Sequence, residues 1–360
     1  MNKRFATCVI GALVCCALGA TAAIDAGLRD PIATPAPQAS FGARSSLVSV
    51  TSAGSKLVAV GRRGVILASS DAGATWQQMA SPVSSDLTAV RFQDAEHGWI
   101  VGHDAVVLKT SDGGRTWERK LDGRGALALL GASYAANGKT PDTAIAQDIE
   151  RAGGQSATPG VLPYPLLDVW FASRDEGYVV GAFGLILHTA DGGASWTPMI
   201  ERTNNARMNH IYAIGGSAGQ VYLAGEQGFL RRLDAASGAF LPLATPYQGS
   251  YFGLRADPER LVVYGLRGNA FVSQDGGAQW RKIETGSASN IVAAVPGRRD
   301  GLLLVSQAGD VYDSAADGSV RTLDVERRGE VYGAAANGGV LVATGMSGAR
   351  VLHNVPLNTP

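Results

Sequence analysis

Residues 98–117 read GWIVGHDAVVLKTSDGGRTW and contain two short hydrophobic runs, each followed by a turn rich in small and polar residues. The first run ends in a four-residue tip, Gly102-His103-Asp104-Ala105. The second ends in the turn Thr110-x-Asp112-x-Gly114-x-Thr116-Trp117. Glycines at such turns allow the left-handed backbone that short hairpins require. The stretch is therefore typical of consecutive antiparallel strands.

A Gly-x-x-Gly-like tip of this kind recurs seven times, roughly every forty residues. The seven tips begin at residues 61, 102, 181, 225, 265, 306 and 345. A period of this length that carries strands rather than helices indicates a β-propeller in which each repeat is one blade. We therefore predict an all-β fold, a seven-bladed β-propeller of four-stranded blades over residues 45–360.

The seventh repeat ends near His353 without a fourth strand before Pro360. An unpaired strand edge exposes backbone hydrogen-bonding groups, so a closed ring needs a strand from elsewhere. Ile32-Ala33-Thr34-Pro35 resembles Met79-Ala80-Ser81-Pro82, which ends the first repeat. We predict that the N-terminal segment, residues 23–44, supplies the closing strand of the last blade.

The interval between the tips at residues 102 and 181 is about twice the normal repeat. Residues 121–163, which fill it, lack paired strand patterns and a tip of their own. Thr140-Pro141-Asp142 carries the signals of a helix start, and Gly153-Gly154 can end the helix. We predict a partly helical insertion at 121–163, with a helix to about Arg151, in preference to an eighth blade.

The N-terminus has the pattern of a cleaved secretory signal peptide over residues 1–22. Lys3 and Arg4 precede an apolar run from Phe5 to Leu18, and small residues follow it. All three cysteines of the chain lie within this segment, so the exported protein would contain none. The pattern predicts an exported, periplasmic protein that needs no disulfide.

The charge balance and the spacing of polar residues exclude several classes of function. The chain has 31 basic and 31 acidic residues, which gives no reason to expect nucleic acid or an anionic membrane surface as partner. No second apolar stretch is long enough to span a membrane, and we expect a monomer. The histidines lack metal-ligand spacing, and the glycines do not open helices as phosphate loops do. We predict no metal, no cofactor and no catalytic residue.

Four copies of the turn after the third strand form Asp-boxes. In each box, an Asp and a Ser or Thr can cap backbone amides, Gly supplies the left-handed conformation, and Trp packs against the blade. The same Asp recurs in four repeats, so we interpret it as a structural residue rather than as a catalyst or a metal ligand. The box residues are Asp71 and Trp76, Asp112 and Trp117, Asp191 and Trp196, and Asp275 and Trp280.

In a four-stranded meander, the tips and the blade-to-blade connections emerge on one face of the ring, and the Asp-boxes emerge on the other. Loops on a rigid scaffold carry variable chemistry, and the tip side of the ring also carries the insertion. We hypothesise that this is a partner-binding face. Its candidate residues are Arg62, Arg63, His103, Asp104, Phe183, Glu226, Gln227 and Arg267.

The innermost strand of each blade is expected to line the central channel. Such strands include Leu47–Val50, Leu87–Val90 and Leu167–Val169, and their side chains are mostly small or aliphatic. We therefore expect these residues to serve packing.

The repeat pattern, Gly-Trp99-Ile-Val-Gly or Gly-Tyr178-Val-Val-Gly followed by a tip and Asp-Gly-Gly-x-x-Trp, resembles the photosystem II stability/assembly factor family. The resemblance covers about residues 41–355. It implies a non-enzymatic factor on the lumenal or periplasmic side that binds an integral membrane protein, or its precursor, through an arginine-rich patch. Arg62, Arg63, Arg267 and Arg207 are the counterparts available here. In a non-photosynthetic host, the resemblance implies a transporter-associated factor.

Two alternatives remain open. The Asp-boxes also resemble those of sialidases, which would make the chain a glycoside hydrolase, but the Phe/Tyr-Arg-Ile-Pro start is missing. An ordinary glycosidase needs two carboxyl groups about 5–10 Å apart, and only Asp104 and Glu226 lie on the tips. The other alternative is a periplasmic module that binds a glycan or a peptide.

Overall fold

The computed structural model describes residues 29–38, 42–134, 143–316 and 318–357. It contains seven antiparallel sheets, each with its strands in chain order. Blades 1 to 6 are four-stranded sheets, and blade 7 has three strands within the described residues. The prediction of a seven-bladed β-propeller is confirmed.

The blades follow one another along the chain. Blade 1 contains β1 (Leu47–Ala53), β2 (Lys56–Gly61), β3 (Ile66–Ser69) and β4 (Gln77–Met79). Blade 2 contains β5 (Leu87–Phe92), β6 (Gly98–Gly102), β7 (Val107–Thr110) and β8 (Glu118–Leu121). Blade 3 contains β9 (Leu166–Phe171), β10 (Gly177–Gly181), β11 (Ile186–Thr189) and β12 (Thr197–Pro198).

The second half of the ring repeats this order. Blade 4 contains β13 (Ile211–Ser217), β14 (Gln220–Gly225), β15 (Leu230–Asp234) and β16 (Ala239–Pro242), and blade 5 contains β17 (Tyr251–Asp257), β18 (Arg260–Gly265), β19 (Ala270–Ser273) and β20 (Arg281–Lys282). Blade 6 contains β21 (Ile291–Pro296), β22 (Leu302–Ser306), β23 (Val311–Ser314) and β24 (Val320–Leu323), and blade 7 contains β25 (Gly333–Asn337), β26 (Val340–Gly345) and β27 (Gly348–Leu352). The described part of the insertion contains two α-helices, α1 (Gly123–Tyr134) and α2 (Thr143–Gly154). Short 3-10 turns cover Gly42–Arg44, Arg62–Gly64, Ala182–Gly184, Ile200–Thr203, Glu226–Gly228 and Leu266–Gly268.

Within a blade, burial follows the sequence pattern. The second strand is an apolar run that is buried along its whole length, as in β6 and β10. The fourth strand carries polar side chains and is partly exposed, as in β8. In blades 1 to 6 the register shifts where the first strand begins, next to the tip. Such bulges bend a strand and increase its twist, which suits sheets arranged radially.

Aromatic side chains fill the space between neighbouring blades. Trp99 of blade 2 stacks on Phe171 of blade 3, with ring centroids 4.0 Å apart, and Trp196 meets Trp99 edge-on. Trp99 is fully buried, and a Cβ added at Gly193 would lie 2.8 Å from its ring. Large rings of this kind contribute much of the buried apolar area.

The ring closes where blade 7 meets blade 1. The side-chain amide of Asn337 donates hydrogen bonds to the backbone oxygens of Gly54 at 2.9 Å and Lys56 at 3.1 Å. The backbone of Ala43 lies close to Gly348, where a Cβ would be 2.0 Å from its oxygen.

The N-terminal segment does not pair where we placed it. Residues 31–34 form a turn, and Ile32 is fully buried against Val83 and Val161, near blades 1 and 2. The backbone of Ala36 donates to Ser81. The assignment of Ile32–Pro35 as the closing strand is therefore wrong, because its apolar side chain packs elsewhere. For the rest of residues 23–44, the closing strand stays a prediction; residues 23–28 and 39–41 lie outside the described part.

The insertion is more helical than we predicted. The predicted helix corresponds to α2, which ends at Gly154, while its predicted start at Thr140-Pro141-Asp142 lies outside the described residues. Helix α1 was not predicted, and the glycines at 123, 125 and 131 lower its intrinsic helix propensity. Its buried side chains, including Leu130 and Tyr134, join the core of blades 2 and 3.

In the described ranges, no helix has the length and apolar character needed to cross a bilayer. The predicted signal peptide, residues 1–22, lies outside those ranges.

Candidate functional site

The tips lie beside the blade-to-blade connections on one face of the ring, which we call the tip face. The backbone N–H of Arg62 donates to Ser46, and that of Glu226 donates to His210, so each tip is held by the segment that leads into a first strand. On the opposite side, Gly113 of an Asp-box donates to Glu96 of a first-to-second-strand turn. The two kinds of turn are thus separated by the length of the blades.

The first glycine of a tip is required because a Cβ would not fit there, and not because of its backbone torsion angle. Gly61 has an extended φ of −167°, but a Cβ there would lie 2.0 Å from the oxygen of Ser46. The second glycine, Gly64, has a φ of +72° and is equally crowded by Val83. Only the second therefore fits our expectation of a left-handed glycine.

The third residue of a tip adopts the left-handed conformation although it is not glycine. This holds at four Gly-x-x-Gly tips, through Arg63 (φ 56°), Phe183 (φ 55°), Gln227 (φ 52°) and Arg267 (φ 55°), and at the blade 2 tip through Asp104 (φ 56°). The side chain of Asp104 is half-buried, and the other four are exposed. A left-handed residue with a Cβ costs about 1–2 kcal/mol, and backbone strain of this kind gathers at functional sites.

Side chains from the following connection hold several of these strained residues in place. The backbone N–H of Arg63 donates to Asp86 Oδ1 at 2.7 Å, that of Phe183 to His210 Nδ1 at 2.9 Å, and that of Arg267 to Asn290 Oδ1 at 3.0 Å. The backbone is therefore fixed, and the side chains at these tips point away from a rigid support.

An aromatic row crosses the tip face from the insertion to the channel. Its members are Tyr164, Phe183, His210, Tyr212 and Phe252, with successive ring centroids 4.5, 4.8, 6.1 and 5.6 Å apart. Phe183 is 43% exposed. The sequence analysis singled out only Phe183, because the other four lie on different segments and carry no shared motif.

Glu226 supports this aromatic row. Its carboxylate accepts a hydrogen bond from the backbone N–H of His210 at 2.8 Å and one from the Tyr212 hydroxyl at 3.2 Å. Burial, together with the charge of Glu226, raises the pKa of Tyr212 to about 12. Asp104, the other tip carboxylate, accepts from the Ser85 hydroxyl at 2.7 Å. Both carboxylates are thus engaged in local structure.

The predicted arginines lie at separate tips. Arg62 and Arg63 belong to blade 1 and Arg267 to blade 5, while Arg207 hydrogen-bonds Gln227 of blade 4 at 3.2 Å. His103 is exposed at the tip of blade 2. The candidate residues therefore surround the channel mouth and do not form one contiguous patch of positive charge.

The central channel, a cavity of about 410 Å³, contains charges that the sequence analysis missed. Arg91 pairs with Asp168 through two contacts of 3.1 and 3.3 Å, and Asp168, which is buried, also accepts from the backbone N–H of Ile214 at 3.1 Å. Arg255 pairs with Asp257 at 2.7 Å. The signal in the sequence was an aspartate within an apolar first strand, at Asp168.

The Asp-box carboxylates accept hydrogen bonds from residues of their own turns. Asp71 accepts from the Ser69 hydroxyl at 2.8 Å, from the backbone N–H of Thr75 at 2.9 Å and from the Thr75 hydroxyl at 2.5 Å. These bonds, that of the Thr75 hydroxyl foremost, lower the pKa of Asp71 to about 2. Asp112, Asp191 and Asp275 repeat the bond to the residue two positions before them.

The box tryptophans differ in their partners. Trp76 and Trp117 donate to the box glycines, and Trp280 donates to Ala244. The buried indole N–H of Trp196 has no hydrogen-bond partner among the described residues. Among the described residues, no group of histidine and carboxylate side chains has the arrangement of a metal site. The geometry agrees with a structural role for the boxes.

Two known groups of proteins match parts of this chain in sequence. A family model described as "Photosynthesis system II assembly factor YCF48" matches residues 68–131. The chain is 32% identical over 93 residues to the photosystem II stability/assembly factor HCF136, chloroplastic, of Oryza sativa subsp. japonica, a match that spans 26% of this chain and 21% of the relative. Both matches are to assembly factors of this kind, and each covers only part of this chain. Because the match spans about a fifth of that relative, activity and partners do not transfer with it.

Solved structures similar to this propeller show the same fold. A structure of YCF48 bound to D1 peptide has a TM-score of 0.60 at 16% identity and covers 90% of this chain and 99% of that one. YCF48 from Cyanidioschyzon merolae has a TM-score of 0.61 at 16% identity and covers 89% and 97%. The extracellular domain of BT4673 from B. thetaiotaomicron has the same TM-score at 14% identity and covers 88% and 39%. At these identities the likeness concerns the fold alone.

The matched family and the relative from Oryza sativa are both named as assembly factors.

Proposed function

We propose that this YCF48-like propeller is a non-enzymatic, exported accessory factor that binds a segment of an integral membrane protein, or of its precursor, on the tip face. The observation that carries the proposal is the set of exposed side chains held in left-handed backbone at Arg63, Phe183, Gln227 and Arg267. The structure of YCF48 bound to D1 peptide supports a peptide as the bound species. In a host without photosynthesis, we expect a membrane transporter as partner.

The aromatic row gives the bound segment a path. Measured from ring to ring, the path along the row is at most roughly 20 Å, which corresponds to no more than about six residues of extended chain. Aromatic rings offer large contact areas at low entropic cost, and Tyr, Trp and Arg are the residues that dominate binding energy in interfaces. Phe183 lies near the insertion end of the row and Arg267 at the next tip beyond Gln227, so a bound segment can contact both kinds of anchor.

Photo-crosslinking from the tip face tests the proposal. A crosslinking residue replaces Gln227 in one version of the full chain and Ala235, in an exposed turn of blade 4, in the other. We expect a membrane protein to be captured from native membranes at position 227 and not at position 235. Equal capture at the two positions would reject the tip face as the binding surface.

Glycine substitutions then measure the contribution of single side chains. Phe183→Gly removes an anchor where the backbone already suits glycine, and Ala72→Gly is the matched control, because Ala72 is left-handed (φ 57°) on the Asp-box side. We expect Phe183→Gly to weaken binding of the captured segment about tenfold or more, as loss of an interface anchor does. Unchanged affinity would count against the aromatic row.

The glycosidase alternative has its own test. A panel of sialoside and aryl-glycoside substrates is incubated with the protein and with Glu226→Gln. Turnover that disappears in Glu226→Gln would overturn the non-enzymatic assignment. We expect none, since the Glu226 carboxylate already accepts hydrogen bonds from His210 and Tyr212.

A further inference from the structure

The wall of the central channel contains two arginines at the same depth, on opposite sides of the ring. In blade 2, Arg91 of the first strand lies opposite Trp99, and in blade 5, Arg255 lies opposite Val262. Each of these partners is three residues before the first glycine of its tip, so the two arginines occupy equivalent positions of the repeat. Blades 2 and 5 are three blades apart in a ring of seven, which places the arginines on facing walls.

The other five blades have uncharged residues at this position. In the order of the blades, the seven residues are Thr51, Arg91, Trp170, Gly215, Arg255, Val295 and Ala335. The fold is therefore built without a charge at this depth in most blades. The two arginines are a property of this channel and not of the repeat.

An aspartate fixes the orientation of each guanidinium group. Arg91 donates from Nε to Asp168 Oδ1 at 3.1 Å and from Nη2 to Oδ2 at 3.3 Å. Arg255 donates from Nε to Asp257 Oδ2 at 3.1 Å, and its Nη2 lies 2.7 Å from Oδ1. Both aspartates thus contact the edge of the guanidinium that Nε and Nη2 form.

The second edge of each guanidinium, which Nη1 forms with the outer N–H of Nη2, is not used by the aspartates. Within the described ranges, Nη1 of Arg91 and Nη1 of Arg255 have no hydrogen-bond acceptor. The side chains are 51% and 33% exposed, so water in the channel reaches them. Two parallel N–H groups on a planar edge match two oxygens of a carboxylate or a phosphate.

Tyr264 brings the two arginines into one site. It lies on the second strand of blade 5, and a Cβ on Gly253 would be 2.3 Å from its ring and its hydroxyl, so the ring reaches the channel over this glycine. Burial raises the pKa of Tyr264, and the charges of Arg91 and Arg255 both act against that shift. One hydroxyl group is therefore within electrostatic reach of both guanidinium groups.

The charged residues of the channel lining have an excess of one positive charge. They are Arg91, Arg255 and Asp168. Asp257 does not line the cavity, and Arg260 pairs with it at 3.3 Å as well. A concave site with one sign of charge in excess attracts ions of the opposite sign. The cavity, about 410 Å³, is also of the size that small ligands occupy.

We propose that the central channel binds a small oxyanion, a carboxylate or phosphate group of a small molecule, between the Nη1 edges of Arg91 and Arg255. The aspartates already hold both guanidinium groups in place, so little side-chain entropy is lost when the anion binds. The site lies inside the ring and uses none of the tip side chains. Its occupancy therefore does not depend on a membrane partner.

Calorimetric titration of the full chain tests the proposal. Succinate and inorganic phosphate are the two probes, and succinamide is the uncharged control for succinate. The variants are Arg255→Gln, which leaves Asp257 paired with Arg260, and Arg321→Gln. Arg321 is the matched control, because it also pairs with an aspartate, Asp313 at 3.0 Å, but lies on the fourth strand of blade 6.

We expect one molecule of at least one probe to bind, about tenfold or more weakly in Arg255→Gln and unchanged in Arg321→Gln, since hydrogen bonds between charged groups contribute this much. The probe that binds more tightly identifies the group as a carboxylate or a phosphate. Binding of neither probe would overturn the proposal. So would equal affinity in the two variants, or binding of succinamide as tight as that of succinate.

Chemical modification of arginine locates the site without a substitution. Phenylglyoxal reacts with accessible guanidinium groups, and peptide mass spectrometry follows the reaction at each arginine. With a probe at about ten times its Kd, we expect Arg91 and Arg255 to react about tenfold more slowly and Arg321 to react at its original rate. If the probe protects neither channel arginine, or protects all three equally, the anion does not bind in the channel.

Discussion

Replacing Arg63 with glycine should stabilise the propeller slightly, although it removes a side chain from the surface. Arg63 has a φ of 56° and a ψ of 36°, and its backbone N–H is bonded to Asp86 at 2.7 Å. Glycine relieves a left-handed penalty of about 1–2 kcal/mol. Glycine also increases the conformational entropy of the unfolded chain, which lowers the free energy of unfolding by about 0.4–1 kcal/mol. The net gain in the free energy of unfolding should therefore be about 0.8 kcal/mol.

The matched control is Arg62→Gly, because Arg62 is the neighbouring residue, is equally exposed and is not left-handed. There the same substitution should destabilise the protein by about 0.5–1 kcal/mol. Glycine loses more conformational entropy on folding, and no left-handed strain is relieved at Arg62 to offset that loss. Urea denaturation followed by tryptophan fluorescence measures both, and the midpoints should move in opposite directions with unchanged slopes. A loss of 1 kcal/mol or more in Arg63→Gly would refute the claim that this tip is strained.

Three further substitutions test the packing and the electrostatics. Trp99→Ala should cost about 3–5 kcal/mol in urea denaturation, because it empties the stack on Phe171, and Trp99→Phe should cost less. Asp168→Ala should cost about 2–4 kcal/mol, since it leaves a buried backbone N–H and Arg91 without their acceptor; a cost below that of Arg91→Met would contradict this reading. Asp191→Asn should lower the melting temperature at pH 6 but not near pH 2. The Ser195 hydroxyl, then its backbone N–H, lowers the pKa of Asp191 to about 2 from an ordinary 3.8, so the stability it adds is complete above about pH 4 and vanishes as the pH falls through 2. A melting difference that is constant from pH 2 to 7 would contradict this role.

The fold was predictable because its signals are local and repeated. Each blade has its own strand pattern and its own glycines. A strand assignment that is uncertain in one repeat is therefore supported by the other six. The tip face followed from the same topology. The exposed turn residues could be assigned to one side of the ring, because a meander alternates the sides on which its turns emerge.

The errors arose where the outcome depends on contacts between distant segments. Ile32–Pro35 matched a strand-ending pattern over four residues only, and the burial of Ile32 against Val83 and Val161 decided its position instead. The ion pair of Arg91 with Asp168 joins the first strands of two blades. The local sequence of either strand gives no sign of its partner in the other. Helix α1 forms despite its glycines because tertiary packing outweighs intrinsic propensity.

The aromatic row was missed for the same reason. Its five rings come from the insertion exit, one tip, one connection and the first strands of two blades. No window of the sequence contains all of them. The repeat fixes the position of each ring, but the side chains that meet across blades become visible only once the ring is closed.

The two faces differ in how they use the same backbone conformation. At the left-handed position after the aspartate of an Asp-box, three of the four boxes carry glycine, Gly113, Gly192 and Gly276, and the fourth carries Ala72. At the left-handed third position of five tips, the chain carries two arginines, a phenylalanine, a glutamine and an aspartate. Folding alone would favour glycine at both positions, because the backbone requirement is the same. The Asp-box side follows that preference at three of its four positions, and the corresponding position of these five tips carries no glycine. The partner binding proposed above accounts for the strain at the tips, and the turn that they build accounts for the uniform aspartates of the opposite side.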